Sequence, residues 1–156
     1  MNPPDEKPVI NDVALEGAMR RELTAMDDAL ASEAARIGGS DSTRSKRKRS
    51  GLGIAQATTK YAMGDLASAV KIMREATAHA DESMPATEPY RFYMHAVLAD
   101  WLSEAGEHDE ATAHIGIAWA FVTTEPAGAV YLEEVRERKQ KVDKRRQEQL
   151  GSSEFA

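Results

Sequence analysis

The chain contains no cysteine in 156 residues. That removes disulfides, thiolate catalysis and cysteine-ligated zinc from consideration, and suits a reducing compartment. Aromatic residues are scarce at 6%, and β-branched residues are few beside alanine, so nothing favours a sheet. No long apolar run is present. The most apolar stretch, Ile115 to Val122, is far short of the ~20 residues that span a bilayer. Proline is thin through the body of the chain, and three of the six prolines are Pro3, Pro4 and Pro8. Acidic residues and prolines stand there in place of a signal peptide's apolar core, so a cytoplasmic protein with no membrane association is expected.

What is present is helix-forming. Hydrophobic residues make up 42% and charged residues 29%, a globular balance. Alanine, which loses no side-chain entropy on entering a helix, is abundant. The net charge of −6 disfavours nucleic-acid binding by the protein as a whole. Residues 1–10 read as a disordered N-terminus. Over 11–37 the apolar residues Leu15, Met19, Leu23, Met26, Leu30, Ala34 and Ile37 recur every three or four positions, which predicts one amphipathic helix. Residues 38–51, rich in Gly, Ser and like charge, read as a basic flexible linker. Residues 52–148 read as a helical domain, closed by a helix after Pro126 whose apolar stripe is Val130, Leu132, Val135 and Val142. Residues 149–156 read as a disordered tail.

An internal repeat organises the middle of the chain. Gly64-Asp-Leu-Ala-Ser-Ala69 is followed by Ala76, and Gly106-Glu-His-Asp-Glu-Ala111 by Ala118. A small residue stands seven positions before each glycine, at Ala57 and Ala99. Such a pattern suits two antiparallel helix pairs: a glycine at each tight turn, an acid near the start of the second helix, and alanines where helices approach closely.

The set Ala57, Gly64, Ala69, Ala76 and its copy Ala99, Gly106, Ala111, Ala118, with Leu98 before the second small residue, resembles the tetratricopeptide repeat family. Gly53 and His95 stand where that family has an aromatic, and Asp81 and Thr123 stand near its terminal proline. The resemblance spans roughly residues 50–124. It implies an all-α fold: a short stack of two helical hairpins with flanking N-terminal and C-terminal helices, the last acting as a cap. It also implies a groove on the first helices of the hairpins. The matching positions are Ile54, Thr58 and Tyr61, then Tyr93, Ala96, Asp100 and Glu104. That surface is mixed apolar and acidic, a seat for a partner's peptide or amphipathic helix. The Lys, Arg and Asn set with which some members clamp a terminal carboxylate is missing.

The expected function is therefore a protein-binding adaptor. The alternative is a nucleic-acid-associated or nuclear factor. It would act through the basic segment Arg44, Lys46, Arg47, Lys48 and Arg49, of which Lys46–Arg49 fits a nuclear import signal, and through the basic C-terminal helix. No aromatic is interleaved for base stacking. The N-terminal helix is a candidate for self-association: on a flexible tether it can fill its own groove or that of a second copy.

No catalytic constellation, metal site or cofactor motif is evident. None of His79, His95, His108 and His114 lies four residues from another, and the nearest approach to a cluster, His108 and His114 with Asp109 and Glu110, reads as solvent-exposed helix residues. Carboxylates read as exposed, with no apolar pocket to raise a pKa. Trp101 and Trp119 read as core.

Overall fold

The computed structural model describes residues 12–39 and 42–154, and every regular element among them is helical. α1 is Asp12–Ile37, α2 Thr43–Ala62, α3 Leu66–Ser83, α4 Pro89–Glu104, α5 His108–Thr124 and α6 Leu132–Glu154. A 3₁₀ turn over Pro126–Tyr131 leads into α6. Among the described residues no single helix is long and apolar enough to cross a membrane.

Two hairpins, α2/α3 and α4/α5, form the centre. Both turn on a glycine with left-handed backbone, Gly64 at φ 83° and Gly106 at φ 86°. Each glycine N–H donates to a carbonyl three residues back, Tyr61 and Ser103, and the next N–H donates to Lys60 and Leu102. This paired closure satisfies carbonyls that a helix end otherwise leaves unbonded. The repeated alanines fill the helix contacts: Ala57, Ala69, Ala99, Ala111 and Ala118 have no exposed surface, and Ala76 has 2%. Gly53 brings α2 onto α3 so closely that a Cβ built there would lie 2.8 Å from the Ala76 Cβ.

α6 runs beside α4 and α5, burying Val135 and Val142. Val130 departs from the expected stripe and is 85% exposed, because it falls in the 3₁₀ turn and not on the helix. At the other end α1 lies antiparallel to α2, joined by Asp27 to Lys60 at 2.6 Å. Leu23, Leu30, Ala34 and Ile37 of its apolar stripe are half-buried, whereas Met19 and Met26 are exposed. The Leu15 side chain and the expected disorder of 1–10 fall outside the described residues.

The structure corrects the reading of 38–51 as a flexible linker. α2 begins at Thr43, with the Ser42 hydroxyl accepting from the Ser45 N–H at 3.2 Å. The basic run is held by the end of α3. Lys46 pairs with Glu82 at 2.6 Å, and the Arg47 Nε donates to the Ser83 carbonyl at 2.9 Å. A cation on the C-terminal carbonyls of a helix is favoured by its dipole. The expected tail at 149–156 is likewise helical through Glu154, with Ser152 and Ser153 bonding back to the Glu148 and Gln149 carbonyls.

Candidate binding groove between α2 and α4

The first helices of the two hairpins do not touch along their backbones: no Cα of α2 lies within 8 Å of one in α4. The space between them is a cavity of about 280 Å³, lined by Ile54 and Thr58 of α2 and by Tyr90, Tyr93, Val97 and Trp101 of α4. Met73 of α3 and Met94 form its floor, and Arg138 of α6 closes one side. That room is many times the ~30 Å³ share of one water and near the lower end of ligand pockets. It accommodates a large side chain.

The side chains around the groove are held by one another. The Tyr61 ring stacks on Trp101 with centroids 4.6 Å apart and planes 6° from parallel, and its hydroxyl donates to Glu104 at 2.8 Å. Tyr93 lies between the Tyr131 ring at 5.1 Å and the Arg138 guanidinium at 5.8 Å, with its hydroxyl donating to Glu134 at 2.9 Å. All three groove tyrosines are pushed above the usual phenol range. For Tyr61 the bond to Glu104 is the main cause. For Tyr90 and Tyr93 it is burial. They remain neutral phenols at physiological pH.

Of the residues expected in the groove, Ile54, Thr58 and Tyr93 line the cavity, and Tyr61 and Glu104 meet at its Trp101 end. Two do not belong there. Ala96 has no exposed surface and is part of the core. Asp100 is only 6% exposed, and its carboxylate takes Arg138 at 2.8 Å and Arg145 at 2.6 Å. The expected acidic character is thereby largely cancelled, leaving a groove that is mainly aromatic and aliphatic. Tyr90 and Val97, to which the sequence assigns no role, and Trp101, expected in the core, complete the lining. Their spacing along α4 from Tyr93 is the available signal, at three, four and eight residues.

The basic segment divides. Lys46 and Arg47 are engaged with α3, Arg49 is half-buried in a cleft with Ala34 and Gly53, and Arg44 and Lys48 are exposed. The run is therefore not a continuous basic surface.

The histidines depart most from expectation. His95 is 3% exposed. Its Nε2 lies 2.9 Å from the Asp81 carboxylate, and its Nδ1 lies 2.8 Å from His114 Nδ1. Asp81 also takes Arg91 at 2.7 Å, and Glu110, one turn before His114, takes Arg74 at 2.8 Å. Burial is the main cause that pulls His114 below the usual imidazole range, followed by the charge of His95. Among the described residues no three His, Asp or Glu side chains converge as a metal-binding set. No family model, curated protein or solved structure matches the chain.

Proposed function

We propose that this chain is a short tetratricopeptide-like stack that acts as a protein-binding adaptor, holding a segment of a partner between α2 and α4. The observation that carries the reading is the 280 Å³ cavity walled by Ile54, Tyr90, Tyr93, Val97 and Trp101. Apolar surface left open between two helices is the seat that amphipathic helices and peptides occupy. The stack itself is supported by the repeated glycine closures at Gly64 and Gly106 and by the six buried alanines in matching positions. α6 serves as the cap, covering α4 and α5 with a face that buries Val135 and Val142 and bonds Asp100 through Arg138 and Arg145. Phenols and an indole around an apolar floor give large contact area at low cost in side-chain entropy.

The test is selection of a displayed library of random peptides on the intact protein, with counter-selection on Thr58→Trp. Thr58 is exposed at the cavity mouth, so a bulky ring there blocks entry and leaves the core untouched. Peptides that share a large apolar residue and lose at least tenfold in affinity on Thr58→Trp support the adaptor. Peptides that bind the blocked variant equally well, or a selection that enriches nothing, overturn it.

A further inference from the structure

The groove-lining face of α4 carries Tyr93, Val97 and Trp101, and the same helix carries His95, which is tied to two other elements. Asp81 of α3 and His114 of α5 each bond one of its nitrogens. The charged groups bonded around the two imidazoles are Asp81 and Arg74 from α3, Arg91 from α4, and Glu110 from α5.

The proton positions follow from the chemistry of the partners. A carboxylate only accepts, so the proton of neutral His95 sits on Nε2 and points at Asp81. Its Nδ1 is then a lone pair, and the proton on that side belongs to His114 Nδ1, which donates across the 2.8 Å contact. His114 Nε2 is left as a lone pair facing the Glu110 carboxylate at 3.7 Å. A first added proton goes to His114 Nε2. It breaks no bond and gains attraction to Glu110. A second added proton has only His95 Nδ1 to go to. Two N–H groups then meet head to head where one hydrogen bond had been, on two cationic rings whose centroids are 5.1 Å apart.

We propose that the His95–His114 pair is an acid-sensitive clamp that fixes α4 against α5 while it carries at most one added proton and releases α4 when it carries two. Release displaces the wall that supplies Tyr93, Val97 and Trp101, so the groove between α2 and α4 loses its shape in acid. This last step concerns the groove assigned above to a protein partner and rests on that reading. The clamp itself is measured with no partner present.

The Tyr61–Trp101 stack is a built-in reporter, because it joins α2 to α4 across the groove. The experiment uses the full chain carrying Trp119→Phe, so that Trp101 is the single indole. Trp101 fluorescence and the ¹⁵N shifts of both imidazoles are followed from pH 8 to pH 4.5. The expected result is two separated imidazole steps, the second coinciding with a change in Trp101 emission. His114→Gln keeps a side-chain N–H donor toward His95 but takes up no proton. It should remove the Trp101 change above ~pH 4.5, where ordinary carboxylates begin to titrate. Glu110→Gln leaves the pair intact and should move the first step to lower pH. Two imidazoles that titrate independently, or a Trp101 change that persists in His114→Gln at the same pH, overturn the clamp. A working clamp together with a failed peptide selection overturns the adaptor and leaves the clamp standing.

Discussion

Asp100 and Arg145 are joined at 2.6 Å although they stand 45 residues apart, and their contact fastens α6 to α4. Asp100 also receives Arg138 at 2.8 Å. Arg145 in addition donates to the Asp100 backbone carbonyl at 3.1 Å and to the Ser103 hydroxyl at 2.8 Å. The carboxylate is nearly enclosed, whereas the two guanidinium side chains are 21% and 30% exposed. Asp100→Ala removes the anion and leaves Arg138 with Glu134 alone, at 3.4 Å. The expected loss is about 2–4 kcal/mol of stability, part of the usual cost of orphaning a buried pair being relieved by water at the exposed ends. Urea unfolding gives the total, and hydrogen exchange locates it. Amides of α6 should exchange faster than those of α2 and α3. A uniform change over all helices would mean that Asp100 does not fasten α6.

Two glycines should respond to alanine with opposite signs. Gly128, in the 3₁₀ turn, is packed against backbone: an added Cβ would lie 2.7 Å from Val122 Cα and 3.1 Å from the Phe121 carbonyl oxygen. Backbone cannot yield as a side-chain tip does, so Gly128→Ala should cost about 1–3 kcal/mol through overpacking. Gly116 lies within α5, exposed, with nothing within 4 Å of a built Cβ. There alanine should stabilise by about 0.5–1 kcal/mol, because glycine loses more backbone entropy in a helix. Thermal melts of the two variants suffice. A loss at Gly116 or a gain at Gly128 would contradict the packing described.

The hairpins were legible because their determinants are local and repeated. Gly64 and Gly106 announce a turn by themselves, and Ala69 and Ala111 follow at the same distance. Contacts between distant segments were not legible. Asp100 reads as a surface carboxylate until Arg138 and Arg145 are brought back by α6, 38 and 45 residues later. His95 and His114 are 19 residues apart, and no single-helix spacing pairs them. The basic run from Arg44 to Arg49 reads as self-repelling, because its anchors Glu82 and Ser83 belong to another helix. The groove falls between these cases. Ile54, Thr58 and Tyr93 lie on faces that helical spacing identifies, but the removal of Ala96 into the core depends on how α4 is rotated among three neighbours.

The two repeats differ at the helix starts that the sequence made look equivalent. Asp65 caps α3, its carboxylate accepting from the Ser68 N–H at 3.1 Å. Glu107, at the same place before α5, makes no side-chain cap bond. Bonding to Ser68 holds the Asp65 carboxyl below its ordinary range. A carboxyl with a depressed folded pKa contributes stability above its unfolded value, and the contribution is lost as pH falls through the folded value. Asp65→Ala should therefore lower the melting temperature at pH 7 and make no difference well below pH 3. Glu107→Ala should have a smaller effect at pH 7. Equal effects of the two substitutions at pH 7 would show that the Ser68 bond does not stabilise α3.

α1 should open before the rest of the fold. Among the described residues it packs against α2 and no other helix, and none of its side chains from Glu16 to Ile37 is fully buried. Its strongest polar tie is Asp27 to Lys60, at 18% and 27% side-chain exposure. Half-buried Leu23, Leu30 and Ile37 contribute less than core positions such as Leu98 or Leu102, which have no exposed surface. Segments with little buried apolar surface open by local fluctuation at free energies well below global unfolding. In native-state hydrogen exchange, amides of α1 should lose protection first and at low denaturant, while α4 and α5 exchange only on global unfolding. Asp27→Ala should accelerate exchange in α1 and leave α4 unchanged. Should α1 exchange together with α4, its single interface would be far stronger than its burial implies, and the Met19 and Met26 face would be covered in solution by something other than α2, a second copy being the first to test by sedimentation.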